Sequence, residues 1–248
     1  MVAHSNVTTT PPVTFRNTYL RDDGVYEAAD IPVERLSWGQ RVFFNDLSAR
    51  LYVISREGSF ARLLNGHASV EDYPRLVRAL ELEEDSIVLD VPCGQGNVTE
   101  AMARAVPRGR VIGLDLSNTM LRLARRRLDR AGLLDRANLI RANAQQLPLE
   151  DASVDAVSAC AGLHLFPDPD GAIAEMRRVL RPGGRVAGLV FVKQTDTIPK
   201  LVQAAVRRIS GMIAFDFDEL GRRFEARGFT DWQWHRAGIV GYFQARAA

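Results

Sequence analysis

The sequence is poor in cysteine, almost neutral in charge and free of long hydrophobic runs. Its 248 residues include two cysteines, Cys93 and Cys160, too few for a disulfide framework or a cysteine-based metal cluster. The 32 basic and 30 acidic residues leave a formal net charge of +2, which gives no case for binding nucleic acid or an anionic membrane. No apolar run approaches the ~18 residues of a membrane-spanning helix, and no leader peptide is recognisable. We therefore expect a cytoplasmic protein without membrane insertion or nucleic-acid binding.

Lysine is nearly absent, and 30 of the 32 basic residues are arginine. Five of these arginines fall within residues 121–130, which raises the alternative of a nucleic-acid patch. Leu121, Ala124, Leu128 and Ala131 recur there at helical spacing, however, and form an apolar stripe. The pattern favours an amphipathic helix that turns its arginines to solvent.

The segment 86–99 is the point around which the chain is organised. The apolar run at residues 87–91 is typical of a buried parallel strand, and a glycine turn with Gly94 and Gly96 leads into a helical pattern. Such a turn brings backbone N–H groups close to a ligand. Asp90 ends this strand, where open α/β sheets bind ligands. Asp115 ends the next strand-like run, about 20 residues beyond Gly96, a spacing that lets a carboxylate accept the hydroxyls of a ribose.

Two nucleoside ligands compete for this turn. A nicotinamide dinucleotide fingerprint needs a third glycine, but that position holds Thr99. The carboxylate of Asp90 would repel a pyrophosphate and suits a cationic ligand. S-adenosylmethionine carries a sulfonium, an α-amine and a ribose but no phosphate, so it matches the segment better.

The motifs along the chain resemble those of the class I S-adenosylmethionine-dependent methyltransferases. Residues 89–96 (LDVPCGQG) resemble the first motif, residues 113–117 the second, and residues 143–148 and 154–157 the third and fourth. Residues 163–168 and 175–184 are similar to the stretch that follows in the branch of small-molecule and quinone methyltransferases. The ordered series covers roughly residues 70–190.

The alternation of strand and helix patterns predicts an α/β fold with helices on both faces of a parallel sheet. The resemblance implies a Rossmann-like, doubly wound sheet of seven strands, mostly parallel with an antiparallel last strand, and an N-terminal helical lid. We accordingly expect a flexible tail at 1–14, a helical lid at 15–82, and a cofactor-binding core at 83–248 with a helical insert at 194–211.

The resemblance also assigns residues to S-adenosylmethionine, whose product is S-adenosylhomocysteine, with no metal. It places Asp90 near the methionine amine, Gly94 and Gly96 against the cofactor, and Asp115 on the ribose. The other assigned positions are Pro92, Cys93, Leu116, Asn143, Ala144, Cys160 and Ala161. Two of these depart from the family pattern, since Pro92 replaces the first glycine and Asn143 an aspartate.

The general base is predicted less sharply. His164 lies just beyond the fourth core strand, and histidine is the usual side chain for proton removal near neutral pH. His67 and Tyr52 are further candidates, and catalysis by proximity alone is an alternative.

We expect methyl transfer to a small apolar or aromatic acceptor, at oxygen first and at carbon or nitrogen otherwise. A lipid or quinone C-methyltransferase is the alternative within this class. A non-catalytic S-adenosylmethionine-binding regulator or scaffold is the alternative outside it, ahead of a nicotinamide oxidoreductase. A homodimer is left open.

Overall fold

A mixed sheet of nine strands runs through residues 14–29, 72–193 and 212–248, which are the parts that the computed structural model describes, together with Ala204 and Arg208. The strands are β1 (Thr18–Leu20), β2 (Tyr26–Ala28), β3 (Ile87–Asp90), β4 (Arg110–Asp115), β5 (Ala137–Arg141), β6 (Val154–Cys160), β7 (Leu180–Phe191), β8 (Phe229–Ala237) and β9 (Val240–Ala247). The helices in these parts are α1 (Asp72–Ala79), α2 (Asn97–Ala105), α3 (Asn118–Ala131), α4 (Pro169–Val179) and α5 (Phe217–Glu225), and Leu163–Leu165 forms a 3-10 turn.

The strand order is β1-β2-β5-β4-β3-β6-β7-β9-β8. Strands β2, β5, β4, β3, β6 and β7 pair in parallel, whereas β9 is antiparallel to both β7 and β8. The predicted Rossmann-like class, mostly parallel with an antiparallel last strand, is confirmed, but the sheet has nine strands rather than the predicted seven because β1 and β2 are added to β3–β9. The chain reverses its direction of winding around β3, so the ends of β3, β4 and β6 form the switch point at which such sheets bind ligands.

Helices cover both faces of the sheet and bury it. Along β3, Ile87 and Leu89 join the core under α4 and α5, while Val88 joins the core under α1, α2 and α3. A strand that is buried on both faces reads as a continuous apolar run, as residues 87–89 do. In α3, Leu121, Ala124 and Leu128 are buried and its five arginines are exposed or half-buried, as the amphipathic pattern predicted.

Residues 15–29 correct the predicted helical lid at its beginning. They form the antiparallel hairpin β1–β2, and β2 extends the sheet beyond β5. The signal was Asp23-Gly24 between two β-prone runs, because an Asp-Gly pair favours a hairpin turn and Gly24 has a φ of +72°. The end of the predicted lid is helical as expected, since Asp72–Ala79 form α1. Residues 30–71, with Tyr52 and His67, and most of the insert 194–211 lie outside the described residues.

Among the helices that the structure describes, none combines the length and the apolar character needed to cross a membrane.

Candidate active site

The turn between β3 and α2 uses its two glycines for different purposes. Gly96 has a φ of +83° and caps α2, and a Cβ at this position would lie 3.0 Å from both Cα and Cβ of Ala124 on α3. Gly94 has a φ of +52°, but a Cβ there would meet no atom of the described residues within 4 Å. Gly96 therefore packs the turn against α3, while at Gly94 the described residues leave room for a ligand to approach the backbone.

Asp90, the last residue of β3, is fully buried. Its Oδ2 accepts a hydrogen bond from the Thr99 hydroxyl at 2.6 Å, and its Oδ1 has no hydrogen-bond partner among the described residues. Burial raises the pKa of Asp90 to about 7, against the opposing effects of the Thr99 and Ser158 hydroxyls, which lower it. A buried oxygen without a partner is costly, so a cation that reached it would be bound and would stabilise the charged form.

Asp115, the last residue of β4, ties the glycine turn to the start of α3. Its Oδ2 accepts from the Gly94 N–H at 2.9 Å and its Oδ1 accepts from the Ser117 N–H at 2.8 Å. Burial raises its pKa to about 6 in spite of these hydrogen bonds. Because each carboxylate oxygen has a second lone pair, Asp115 retains acceptor sites for two further donors such as the hydroxyls of a ribose.

The loops after β4 and β5 provide the next part of the site. Leu116 is half-buried directly after Asp115, and Ala144 is buried after β5. The Asn143 Oδ1 accepts from the Gln145 N–H at 3.0 Å, which shapes its own loop. An aspartate at this position could accept the same bond, so the replacement by asparagine keeps the loop hydrogen bond.

The opposite side of the turn is formed by the end of β6. Cys160 and Ala161 are buried there, and Ala161 has a φ of +56°, a conformation that costs energy for any residue other than glycine. Such strained positions cluster at functional sites. A Cβ on Gly162 would lie 2.0 Å from Cδ of Pro92, so the Pro92 ring packs against the backbone after β6.

Cys93 is a packing residue rather than a reactive one. Its side chain is buried against Gly113 in the core under α1, α2 and α3. Burial raises the pKa of its thiol well above the ordinary value, which suppresses the nucleophilic thiolate. Cys93 and Cys160 form no disulfide, and both side chains are buried.

Comparison with known proteins identifies the family. A family model described as a methyltransferase domain matches residues 88–184. A demethylmenaquinone methyltransferase of Staphylococcus aureus (strain JH9) is 33% identical over 179 residues, which cover 63% of this chain and 73% of that protein. The chain belongs to the class I S-adenosylmethionine-dependent methyltransferases.

Two further comparisons refine this assignment. The ubiquinone/menaquinone biosynthesis C-methyltransferase UbiE of Hahella chejuensis is 43% identical over 112 residues, 45% of each chain, so this chain lies in the UbiE-like branch of the family. It matches about half the length of several curated relatives, between 40% and 52%. A crystal structure of a methyltransferase from Aquifex aeolicus shares the fold, with a TM-score of 0.64 and 19% identity over 83% of this chain and all of that one.

His164 occupies a packed position in this family member. It is 2% exposed within the 3-10 turn, its ring packs edge-to-face on Phe191 with 4.5 Å between centroids, and its carbonyl accepts from the Ile213 N–H at 2.9 Å. These contacts fix the turn beyond β6 against the segment that precedes α5. Its role as a base stays a prediction.

Three residues that sequence reasoning missed support the site. Thr99 holds Asp90, and its presence at the place of the third fingerprint glycine was a signal for such a role. The Asn97 side-chain amide donates to the Tyr73 hydroxyl at 2.6 Å, which fixes α1 to the start of α2.

In the parts of the chain that the structure describes, no three His, Cys, Asp or Glu side chains gather into a metal site.

Proposed function

We propose that this chain binds S-adenosylmethionine and transfers its methyl group to a ring carbon of a quinol-type acceptor. The observation that carries the proposal is the pair of buried carboxylates, Asp90 and Asp115, at the ends of adjacent strands beside a glycine turn. At Gly94 of this turn, no described residue would contact an added Cβ. The family assignment supplies the reaction class.

The residues present fit S-adenosylmethionine. Its ammonium and sulfonium charges suit Asp90, whose buried Oδ1 has no partner among the described residues. Its ribose hydroxyls suit the remaining acceptor sites of Asp115, and its lack of phosphate suits a site that presents two carboxylates. When bound, it would supply a methyl group activated by the sulfonium.

Carbon rather than oxygen is the proposed methylation site. Oxygen was the first expectation from the sequence, but the relatives named as quinone and demethylmenaquinone methyltransferases favour the carbon alternative. In methylation at a carbon of a hydroxylated ring, the hydroxyl gives up its proton, the ring carbon bonds the methyl group as the sulfur–methyl bond breaks to leave S-adenosylhomocysteine, and the ring hydrogen then leaves as a proton while the hydroxyl is restored. One proton is released in all, so a base is expected. Among the described residues, His164 is the candidate for this base, because it lies three residues after Ala161 in the turn that follows β6.

The methylated atom can be determined from the product. We expect incubation with methyl-labelled S-adenosylmethionine and a demethylated naphthoquinol to place the label on a ring carbon, where hydriodic acid does not remove it. Label released as methyl iodide would instead establish O-methylation. Tight binding of S-adenosylhomocysteine without transfer to any quinol would favour the non-catalytic binder.

Cofactor binding is expected to release protons near neutral pH. Because the pKa of Asp90 is raised to about 7, its carboxyl is only partly ionised in the free protein at that pH. The ammonium of S-adenosylhomocysteine would stabilise the ionised form and lower this pKa, so binding releases protons and the affinity rises as the pH increases through about 6 to 7. Calorimetry at pH 7 in two buffers of different ionisation enthalpy measures the release.

Asp90→Asn is the matched variant for this measurement. The Thr99 hydroxyl can still donate to the amide oxygen, so the contact between β3 and α2 is kept while the titrating group is lost. We expect the variant to release fewer protons than the wild type. Equal release by the two proteins would show that Asp90 does not sense the ligand charge.

A further inference from the structure

The hairpin β1–β2 docks beside the nucleoside half of the site. In the register of the sheet, Glu27 of β2 stands opposite Arg141 of β5, and Arg141 stands opposite Asp115 of β4. These three residues therefore form one row across three adjacent parallel strands, at the end of the sheet where Asp115 is placed for the ribose. Val25 anchors the hairpin because it is buried in the same core as Leu121 of α3.

Glu27 joins two arginines in a part-buried network. Its Oε1 accepts from Arg141 Nη1 at 2.6 Å, and its Oε2 accepts from Arg21 Nη1 at 3.2 Å. The side chains of Glu27, Arg141 and Arg21 are only 17%, 21% and 26% exposed. Solvent screens such a network less than it screens pairs on an open surface, so the network can hold a fixed geometry.

Both arginines donate hydrogen bonds to the segment that follows Asp115, one to its backbone and one to a side chain. Arg141 Nε donates to the Leu116 carbonyl at 3.2 Å, and Arg21 Nη1 donates to the Asn118 side-chain oxygen at 2.6 Å. Between these two contacts, the Ser117 N–H binds Asp115. The segment 115–118 is thus held on one side by the carboxylate of Asp115, which is predicted to bind the ribose, and on the other side by the hairpin.

We propose that the N-terminal hairpin is a wall of the cofactor site, in which Glu27 acts through Arg141 and Arg21 to position Leu116 and Asp115 for the nucleoside. The ligand in this inference rests on the proposed function. Glu27 is a positioning residue, since it is expected to act through the two arginines without touching the reacting atoms.

The test replaces Glu27 by glutamine and measures two quantities. The variant leaves two arginines without their shared carboxylate, so we expect the dissociation constant for S-adenosylhomocysteine to rise about tenfold. We also expect faster hydrogen exchange in a peptide covering residues 111–121 of the free protein, because the backbone after Asp115 loses its support. In turnover, the KM for S-adenosylmethionine should rise while kcat at saturation stays the same.

Two further variants control the result. Glu150→Gln removes the ion pair between Glu150 and Arg16, which ties the same hairpin to the loop before β6 through side chains about half exposed. We expect this variant to bind S-adenosylhomocysteine as the wild type does. Arg141→Lys keeps a positive charge for Glu27 but lacks the Nε–H donor to Leu116, so its affinity should fall as in Glu27→Gln.

The outcomes separate the inference from the proposed function. Wild-type affinity and unchanged exchange in Glu27→Gln would overturn the inference alone. Equal losses of affinity in Glu27→Gln and Glu150→Gln, together with lowered melting temperatures, would also overturn it, because the hairpin would then merely stabilise the fold. If the wild type bound no S-adenosylhomocysteine, the proposed function and the ligand part of the inference would both fail, and the exchange data would decide whether Glu27 holds segment 115–118.

Discussion

Replacing Asp115 by alanine is expected to weaken the binding of S-adenosylmethionine and S-adenosylhomocysteine at least about a hundredfold. The variant loses both proposed ribose acceptors and also frees the N–H groups of Gly94 and Ser117 that the carboxylate now holds. Hydrogen bonds to a charged group contribute about 1.5–3 kcal/mol each, so the loss of two corresponds to roughly that factor. Isothermal titration with S-adenosylhomocysteine measures it.

The same variant should remain folded. Burial raises the pKa of Asp115, so the fold does not depend on its charge, but the variant leaves the N–H groups of Gly94 and Ser117 without their acceptor. We expect a lower melting temperature than that of the wild type but a single cooperative transition, measured by thermal unfolding in the absence of ligand, and the titrations are run well below it. Asp135→Ala serves as the control, because the Asp135 side chain is 74% exposed and lies away from the turn. Wild-type affinity in Asp115→Ala would remove the ribose role from this residue.

The second large effect is a contrast between alanine substitutions at the two glycines of the turn, Gly96 and Gly94. Gly96→Ala should destabilise the free protein for two reasons. A φ of +83° is unfavourable for alanine, and its Cβ would lie 3.0 Å from the Ala124 backbone and side chain. Left-handed backbone costs an alanine about 1–2 kcal/mol, and the close contact adds to this value. Chemical denaturation of the variant measures the loss.

Gly94→Ala should have the opposite profile. Its φ of +52° also carries strain, but the added Cβ would meet no atom of the described residues within 4 Å, so the loss of stability should be smaller than in Gly96→Ala. The methyl group would instead occupy the space that a ligand needs, and we expect the affinity for S-adenosylhomocysteine to fall at least about tenfold. Gly94→Ala binding as tightly as the wild type would place the cofactor elsewhere.

The local part of the site could be predicted from the sequence because its residues lie close together along the chain. Strand β3, the glycine turn and α2 follow one another directly, so Asp90, Gly94 and Gly96 have only one arrangement consistent with a parallel sheet. Asp115 was predictable from its position at the end of the next strand. The different roles of Gly94 and Gly96 could not be predicted from the sequence. They follow only from the packing of Gly96 against Ala124 and from the room that the described residues leave beside Gly94.

The contribution of the hairpin depends on contacts that no local pattern encodes. Glu27 and Arg141 are 114 residues apart in the sequence and meet only because β2 pairs with β5. The Asp23-Gly24 turn could have indicated a hairpin, but not the strand on which it docks. The burial of His164 against Phe191 also depends on tertiary packing, so its position after β6 was predictable while its environment was not.

One titration tests the central claim most directly. The wild-type protein is titrated in parallel with S-adenosylmethionine, S-adenosylhomocysteine and NADH. We predict that the first two bind and that NADH does not, because the turn lacks the third glycine and presents a carboxylate where a pyrophosphate would lie. Binding of NADH alone, or of none of the three, would contradict the methyltransferase site.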